Sequence, residues 1–339
     1  MFCRIFFILF TTGNHKMKKI FSVIAGLFFI SGTLFLSSCS DTNSKKIKIG
    51  VCIPDATHGW AGGVVWNAEK SKKELEEKNK DIEILIASGE NSADQVDRIE
   101  NMLAKNVKAL VVMSQEPGPL TSVCERAKKQ GVYLVIVSNP LDKNIQDVFV
   151  NGDNRSFGAA AAEAVGELLK GKGNIVVMEG TQCPINTDRA GTFKKVIAEK
   201  FPGIKIMDSK PAHWNTEKGL LLMETYLQKF PRIDAVWAGD DDVLTGALKA
   251  YKESKRNDVK FFVGGGGAKG TVKMIMENDP LVKATITYSP AMISTGIEAA
   301  LAGLRNGGRT PEGKKEIIIP SRIVLNNNAA EYYFPASIY

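Results

Sequence analysis

Short apolar runs rich in β-branched residues alternate with helix-like segments along most of this 339-residue chain. The first four runs are 47–53, 82–87, 109–113 and 132–137, and a segment rich in Lys, Glu and Ala follows each of them. Nearly continuous apolar strands that alternate with helices indicate a parallel sheet covered by helices on both faces. The pattern therefore predicts an α/β fold.

A second series of runs begins after Phe149-Val150-Asn151 and repeats this rhythm; its members are 174–178, 204–207, 234–238, 260–263 and 282–287. Two doubly wound halves predict two Rossmann-like lobes with parallel sheets. We expect an N-terminal lobe of 47–150 plus 289–314 and a C-terminal lobe of 151–288 plus 315–330. Several chain crossings would then form a multi-strand hinge, which suits closure around a ligand.

Residues 1–38 are interpreted as an export signal outside the fold, with 1–16 as an upstream extension. Lys18 and Lys19 precede an apolar run at 20–36 and then small residues, which is the order of a secretory signal. A transmembrane helix is the alternative, but the run is barely long enough to span a membrane. Leu-Ser-Ser-Cys at 36–39 resembles the lipobox of bacterial lipoproteins, which implies a lipid on Cys39. The protein is then exported to the periplasm or cell surface, anchored to the membrane through this lipid and a short linker at 39–46.

The net charge of +7 does not indicate nucleic-acid binding. The leader holds four basic residues and no acidic one, so the rest of the chain has 40 Lys and Arg against 37 Asp and Glu. No helix-turn-helix or basic arm precedes the first strand. We therefore expect no nucleic-acid partner.

The sequence also predicts no metal, cofactor or catalytic residue. It has three histidines, and none pairs with cysteine at metal-ligand spacing. The glycine run at 264–267 lacks the Walker pattern, and no nucleophile elbow or His-Glu-x-x-His is found. Cys52 and Cys124 are expected to be buried thiols, while the position of Cys183 stays open.

Ligands of open parallel sheets bind at the carboxyl ends of the strands. His58 and Trp60 follow a strand of the first lobe and Trp214 follows one of the second, so their rings could face a sugar from opposite sides or could cap a core. Asp240 follows another strand, where an aspartate can also be only a helix N-cap. A salt bridge is as compatible with Arg189 as a ligand contact is.

Together these residues resemble the periplasmic sugar-binding proteins of the ribose and galactose type, which serve ABC transporters. The resemblance covers 47–325, and its clearest motifs are Lys-Pro-Ala-His-Trp-Asn at 210–215, Ala-Gly-Asp-Asp-Asp at 238–242 with Leu-Thr-Gly-Ala-Leu at 244–248, and Ala-Thr-Ile-Thr-Tyr-Ser-Pro at 284–290. It implies a type 1 periplasmic binding fold and no enzymatic activity. It also implies aromatic contacts from Trp60 and Trp214 and polar contacts from His58, Asp240 and Tyr288.

The chain departs from the ribose type at three places. Ser138-Asn139 replaces an acidic residue followed by arginine, Gly266 replaces an aspartate and Thr187 replaces an arginine. A related pentose, hexose or sugar alcohol held by amides and by His58 is compatible with these residues. The full set of candidate ligand-binding residues is His58, Trp60, Ser138, Asn139, Asn186, Arg189, Trp214, Asp240 and Tyr288.

The predicted function is that of a monomeric solute-binding lipoprotein. It would capture a monosaccharide or related polyol and deliver it to an ABC permease in the membrane. The alternative is a sensor that presents the closed form to a chemoreceptor or a histidine kinase. A glycosidase is disfavoured because the acidic residues at 240–242 are adjacent and cannot flank a bond from both sides.

Overall fold

The computed structural model describes residues 46–56, 58–309 and 315–339. The predicted export signal, Cys39 and all of the predicted linker but Lys46 lie outside the described residues. The strands and helices, in chain order, are β1 (Ile47–Pro54), α1 (Gly59–Lys78), β2 (Ile82–Gly89), α2 (Ser92–Ala104), β3 (Ala109–Val112), α3 (Pro117–Lys129), β4 (Tyr133–Val137), β5 (Val148–Gly152), α4 (Asn154–Leu168), β6 (Lys172–Glu179), α5 (Pro184–Lys200), β7 (Gly203–Pro211), α6 (Thr216–Lys229), β8 (Ala235–Ala238), α7 (Asp241–Glu253), β9 (Phe261–Val263), α8 (Lys269–Met276), β10 (Val282–Ile286), α9 (Met292–Arg305), β11 (Glu316–Ile319), β12 (Ile323–Val324) and α10 (Ala329–Tyr332).

These elements form two six-stranded sheets. The first has the order β11-β5-β4-β3-β1-β2 and the second the order β12-β10-β9-β8-β6-β7. Neighbouring strands are parallel throughout, except that β12 runs antiparallel to β10. The predicted α/β fold with two lobes, the first built on the first sheet and the second on the other, is confirmed.

The strands are apolar at successive positions because both faces of each sheet are covered. Val51 and Cys52 are neighbours in β1, point to opposite faces, and belong to two different apolar clusters in which both are fully buried. Cys52 and Cys124 are buried free thiols, as the sequence predicts. Burial raises the pKa of each thiol to about 12, so neither is a reactive thiolate near neutral pH.

Polar residues that follow the strands begin the next helices. Asn91, Asp153 and Asn215 each accept a backbone N–H from the first turn of α2, α4 and α6, respectively. Such side-chain acceptors satisfy N–H groups that have no partner within the helix. Strand ends and helix starts therefore share one edge of each sheet, and polar side chains concentrate there.

The chain crosses between the lobes three times. The crossings lie between β5 and α4, between β10 and α9, and between β11 and β12. At the first two, Gly152 and Tyr288 pack together: a Cβ on Gly152 would lie 2.2 Å from Cε2 of Tyr288. Glycine at 152 thus lets two hinge segments approach each other.

One expected segment divides between the lobes. The sequence predicts that 315–330 belongs to the C-terminal lobe, but β11 pairs with β5 in the first sheet and only β12 joins the second. The apolar residues of β11 could cover either sheet, and the pattern of one short strand does not encode which edge it extends. Pairing with the open edge of β5 decides its place.

Candidate ligand-binding site

A cavity of about 550 Å³ lies between the lobes, at the carboxyl ends of strands from both sheets. Loops after β1, β3 and β4 line it from the first lobe, and loops after β6, β7 and β8 line it from the second. Eight of the nine candidate residues line this cavity: His58, Trp60, Ser138, Asn139, Arg189, Trp214, Asp240 and Tyr288. The fold therefore brings together residues that are up to 230 positions apart in the sequence.

Trp60 is fixed against the hinge. Its Nε1–H donates to the backbone carbonyl of Tyr288 at 2.7 Å, and the two rings lie 5.5 Å apart at a tilt of 32°. The His58 ring is nearly parallel to that of Trp60 at 6.4 Å. Burial lowers the pKa of His58, although Asp242 acts in the opposite direction. A neutral imidazole that can both donate and accept is thus placed on this wall.

Trp214 lines the cavity from the second lobe, on a strained turn. His213 and Trp214 both have positive φ values, 56° and 54°, which non-glycine residues seldom adopt. The indole lies against Gly180, where a Cβ would be only 2.2 Å from Nε1 of Trp214. The turn and the glycine together place an indole at the carboxyl end of β6, as a plate for the apolar face of a ligand would require.

Arg189 is held between two aromatic rings. Its guanidinium carbon lies 4.1 Å from the ring centres of both Phe157 and Tyr288. Its Nε donates to Oδ1 of Asn154 at 2.9 Å, and this is the one hydrogen bond that the Arg189 side chain makes to any residue in the described ranges. Burial lowers the pKa of Arg189, while its interactions with Tyr288 and Asp240 act to raise this pKa. The stacking fixes a fork of donors without using its terminal N–H groups.

The three consecutive aspartates have three different roles. Asp240 lines the cavity and also caps α7, because its Oδ1 accepts the Asp242 N–H at 2.8 Å. Asp241 stabilises the glycine turn at 264–268. It accepts hydrogen bonds from the N–H groups of Gly265, Gly267 and Ala268 and from the Thr285 hydroxyl. Asp242 reaches the other lobe and accepts the Gly59 N–H at 2.9 Å.

Asp240 is a buried carboxyl group with an elevated pKa. Burial is the main cause, and the charge of Asp242 adds to it, while backbone N–H groups of α7 and Arg189 act against them. The result is a pKa of about 7. Asp240 can therefore exchange between its protonated and ionised forms near physiological pH.

Three residues of the cavity wall each have a buried side-chain atom without a hydrogen-bond partner in the described part of the chain. These atoms are Oγ of Ser114, Oδ1 of Asn139 and Nδ1 of His58, which lies 3.9 Å from Oδ2 of Asp242. Asn139 is oriented by a bond from its Nδ2 to the Ser114 carbonyl at 2.9 Å. Ser138 bonds the Tyr288 hydroxyl at 2.9 Å. Buried polar atoms without partners are uncommon and costly.

Asn186 does not line the cavity. It is buried in the first turn of α5, where its Oδ1 accepts the Gly180 N–H at 2.8 Å and its Nδ2 donates to Glu179 at 3.1 Å. Burial would raise the pKa of Glu179, but bonds from Lys194, Ser209 and Asn186 outweigh it and lower this pKa. Asn186 thus supports the loop that carries Gly180, beneath Trp214.

Other residues of the loops that follow the strands also line the cavity. Gln115 and Glu116 follow β3, and Thr181 and Gln182 follow β6. Their position after a strand was the available signal, but their residue types are common in any polar loop. Cys183, whose position the sequence left open, lines the cavity. Among the residues that the structure describes, no group of three or more His, Cys, Asp or Glu could hold a metal ion.

A family model of the periplasmic binding protein domain matches residues 49–308. The chain belongs to the periplasmic binding protein family. The xylitol-binding protein of Mycolicibacterium smegmatis is 26% identical over 273 residues, which cover 79% of this chain and 76% of that protein. The ribose import binding protein of Bacillus subtilis is 25% identical over 290 residues, covering 82% and 90%, respectively.

Solved structures of this family share the fold. An ABC transporter solute-binding protein from Bacillus halodurans C-125, with bound myo-inositol, superposes with a TM-score of 0.74 at 24% identity and covers 85% of this chain and 97% of its own. Family membership implies an exported, solute-binding protein. No helix within the described ranges has the length and apolar character to cross a bilayer.

Proposed function

We propose that this periplasmic binding protein captures a monosaccharide or related polyol between its lobes and delivers it to an ABC importer. The observation that carries the proposal is the cavity itself. Trp60 and Trp214 line it from opposite lobes, and His58, Asn139, Arg189 and Asp240 add polar side chains to its wall. Apolar plates with donors and acceptors around them match the C–H faces and hydroxyl edges of a sugar.

The charges of the cavity favour an uncharged ligand. Arg189 and Asp240 both line the cavity, and the charge of each opposes the pKa shift that burial causes in the other. A polyol hydroxyl can accept from the guanidinium and donate to the carboxylate. An anionic or cationic ligand would leave one of these groups uncompensated in a buried site.

The relatives support import as the destination of the ligand. Several are binding proteins named for import or for binding of ribose, apiose, xylose, allose or xylitol. This favours delivery to a permease over presentation to a receptor kinase. Reversible capture requires no reacting group, so we propose that the protein is not an enzyme. We also propose that it acts as a monomer and is anchored through a lipid on Cys39.

A ligand panel tests the proposal. Thermal unfolding is measured with xylitol, D-ribose, D-allose, D-xylose and myo-inositol, because a ligand that binds only the native state raises the midpoint. At least one compound should stabilise the protein. Trp214→Ala should weaken binding of that compound by about fivefold or more, since the loss of an aromatic plate costs on the order of 1 kcal/mol or more.

Trp66→Ala is the matched control, because Trp66 lies on α1 and does not line the cavity. It should leave the affinity within about twofold of the unsubstituted protein. Calorimetry measures both variants. Absence of any stabilisation across a wider panel of sugars and polyols would overturn the proposed function, and equal affinity in Trp214→Ala would remove that residue from the site.

A further inference from the structure

The segment 334–339 lies across the contact between the two lobes. Lys269, at the start of α8 in the second lobe, donates through Nζ to the carbonyl oxygens of Ser337 and Pro335. On the other side, a Cβ on Gly62 of α1 would lie 3.8 Å from Cδ1 of Ile338. The segment is thus attached to the second lobe and touches the first.

Tyr339 is the buried residue of this segment. Only 7% of its surface is exposed, whereas Phe334 is 62% exposed. A Cβ on Gly63 would lie 2.8 Å from the Tyr339 Cβ, and one on Gly59 would lie 3.3 Å from its Cδ2. In the second lobe, a Cβ on Gly266 would lie 2.1 Å from the Tyr339 hydroxyl oxygen. The phenol therefore fills the gap between the first turn of α1 and the glycine turn.

The glycines on both sides are what make room for this ring. Gly59 and Gly63 lie on one helical face, and Gly266 has a φ of 112°, which disfavours any larger residue. The Tyr339 hydroxyl has no partner in the part of the chain that the structure describes. Shape rather than hydrogen bonding therefore accounts for its place.

The position of the ring is directly behind the ligand site. Gly266 lines the cavity, and so does Asp240, whose charge acts on Tyr339. The ring touches both lobes where the Gly59 N–H meets Asp242, and it would lose one of its two contact surfaces if the lobes separated. Burial of an aromatic side chain is therefore coupled to closure.

We propose that Tyr339 is a positioning residue that ties the two lobes in the closed state and thereby slows release of the captured solute, a role that rests on the proposed function. Tyr339 acts through the lobe contact, not through contact with the ligand. A ligand that binds the closed state gains affinity in proportion to the population of that state. Removal of the ring lowers this population.

The test compares Tyr339→Ala with the unsubstituted protein. For each compound of the five-member panel that binds, the dissociation rate is measured by stopped-flow tryptophan fluorescence and the Kd by calorimetry. Tyr339→Ala should raise both by about tenfold, equivalent to about 1.4 kcal/mol. Tyr339→Phe should restore both, because the hydroxyl has no partner. Phe334→Ala, in the exposed part of the same segment, should change neither.

A second variant keeps the test decisive if Tyr339→Ala does not fold. Lys269→Met removes the anchor of the segment on the second lobe without altering the cavity wall, and it should raise the dissociation rate in the same direction. Dissociation rates within twofold of the unsubstituted protein, in whichever of these variants folds, would overturn the proposal.

Small-angle scattering separates this inference from the proposed function. Without ligand, Tyr339→Ala, or Lys269→Met in its place, should show a larger radius of gyration than the unsubstituted protein. An unchanged radius of gyration would count against the proposed role of Tyr339 in holding the lobes together, even if no panel compound bound any variant. If no compound binds but the radius of gyration changes as expected, the proposed function is contradicted. The role of Tyr339 in holding the lobes together is then still supported.

Discussion

Asp240 combines a structural task with a place at the ligand site. Its Oδ1 holds the first turn of α7, and the same buried carboxyl group lines the cavity with a pKa of about 7. Ligand hydroxyls that donate to it would favour the ionised form. Binding and ionisation are then linked, so affinity should depend on pH.

We expect affinity for the best panel compound to rise by up to about tenfold between pH 6 and pH 8, because the ionised fraction of a group with a pKa near 7 rises by that factor. Asp240→Asn should remove the dependence while it keeps the cap, since asparagine is also a good N-cap. Calorimetry at pH 6, 7 and 8 measures both proteins. His58 titrates below its usual pKa, so a pH dependence unchanged in Asp240→Asn would contradict the assignment to Asp240.

The contribution of Asp240 to the stability of the ligand-free protein should instead fall as the pH rises. The pKa of Asp240 is raised by folding, from an ordinary value of 3.8 to about 7. Its contribution to the free energy of unfolding is therefore fully present below pH 4 and is lost as the pH rises through 7. Folding therefore costs free energy when the Asp240 carboxylate is buried in its ionised form. Ligand hydroxyls that donate to this carboxylate would offset that cost.

At the scale of elements, the starts of α1 and α7 meet across the cleft. The Gly59 N–H has no partner within its own helix and donates to Asp242 of the other lobe. A carboxylate beside a helix N-terminus is also favoured by the helix dipole. Two helix starts, one from each lobe, therefore form a contact that exists only when the lobes are together.

Asp242→Ala should weaken binding of the best panel compound by roughly two- to tenfold, because one hydrogen bond of about 0.5–1.5 kcal/mol is lost from the closed state. The fold should be retained, because Asp240 and not Asp242 caps α7. Asp188→Ala is the control; it breaks an exposed ion pair with Arg155 within one lobe and should have no measurable effect. Equal affinities of Asp242→Ala and Asp188→Ala would show that this contact does not support closure.

For the whole molecule, three hinge crossings join the lobes that capture a solute. The sequence of residues 1–39 predicts that this capture takes place at a membrane surface. A lipid on Cys39 would hold the mature protein at a membrane near its permease. Cys39→Ser should move the protein from the membrane fraction to the soluble extract, because no lipid can attach. Immunoblotting of both fractions measures this shift, with Cys183→Ser as control. Retention of Cys39→Ser on membranes would contradict the anchor.

Much of the architecture follows from local sequence patterns. The predicted run 47–53 corresponds to β1 (Ile47–Pro54), whereas 204–207 extends to β7 (Gly203–Pro211), because residues at a sheet edge are only half-buried and include polar side chains. His58, Trp60, Trp214 and Asp240 could be predicted at the cavity because each follows a strand, and strand ends converge on one edge.

The sequence by itself thus determined the two α/β lobes and the edge at which the site forms, since both depend on periodicity within short windows of the chain. Only the tertiary structure decided that Asn186 turns to Glu179, that β11 joins the first sheet, that each of three adjacent aspartates has a different partner, and that Tyr339 lies between the lobes. These outcomes depend on contacts between residues far apart in the chain, and no local pattern encodes which distant surface a side chain will meet.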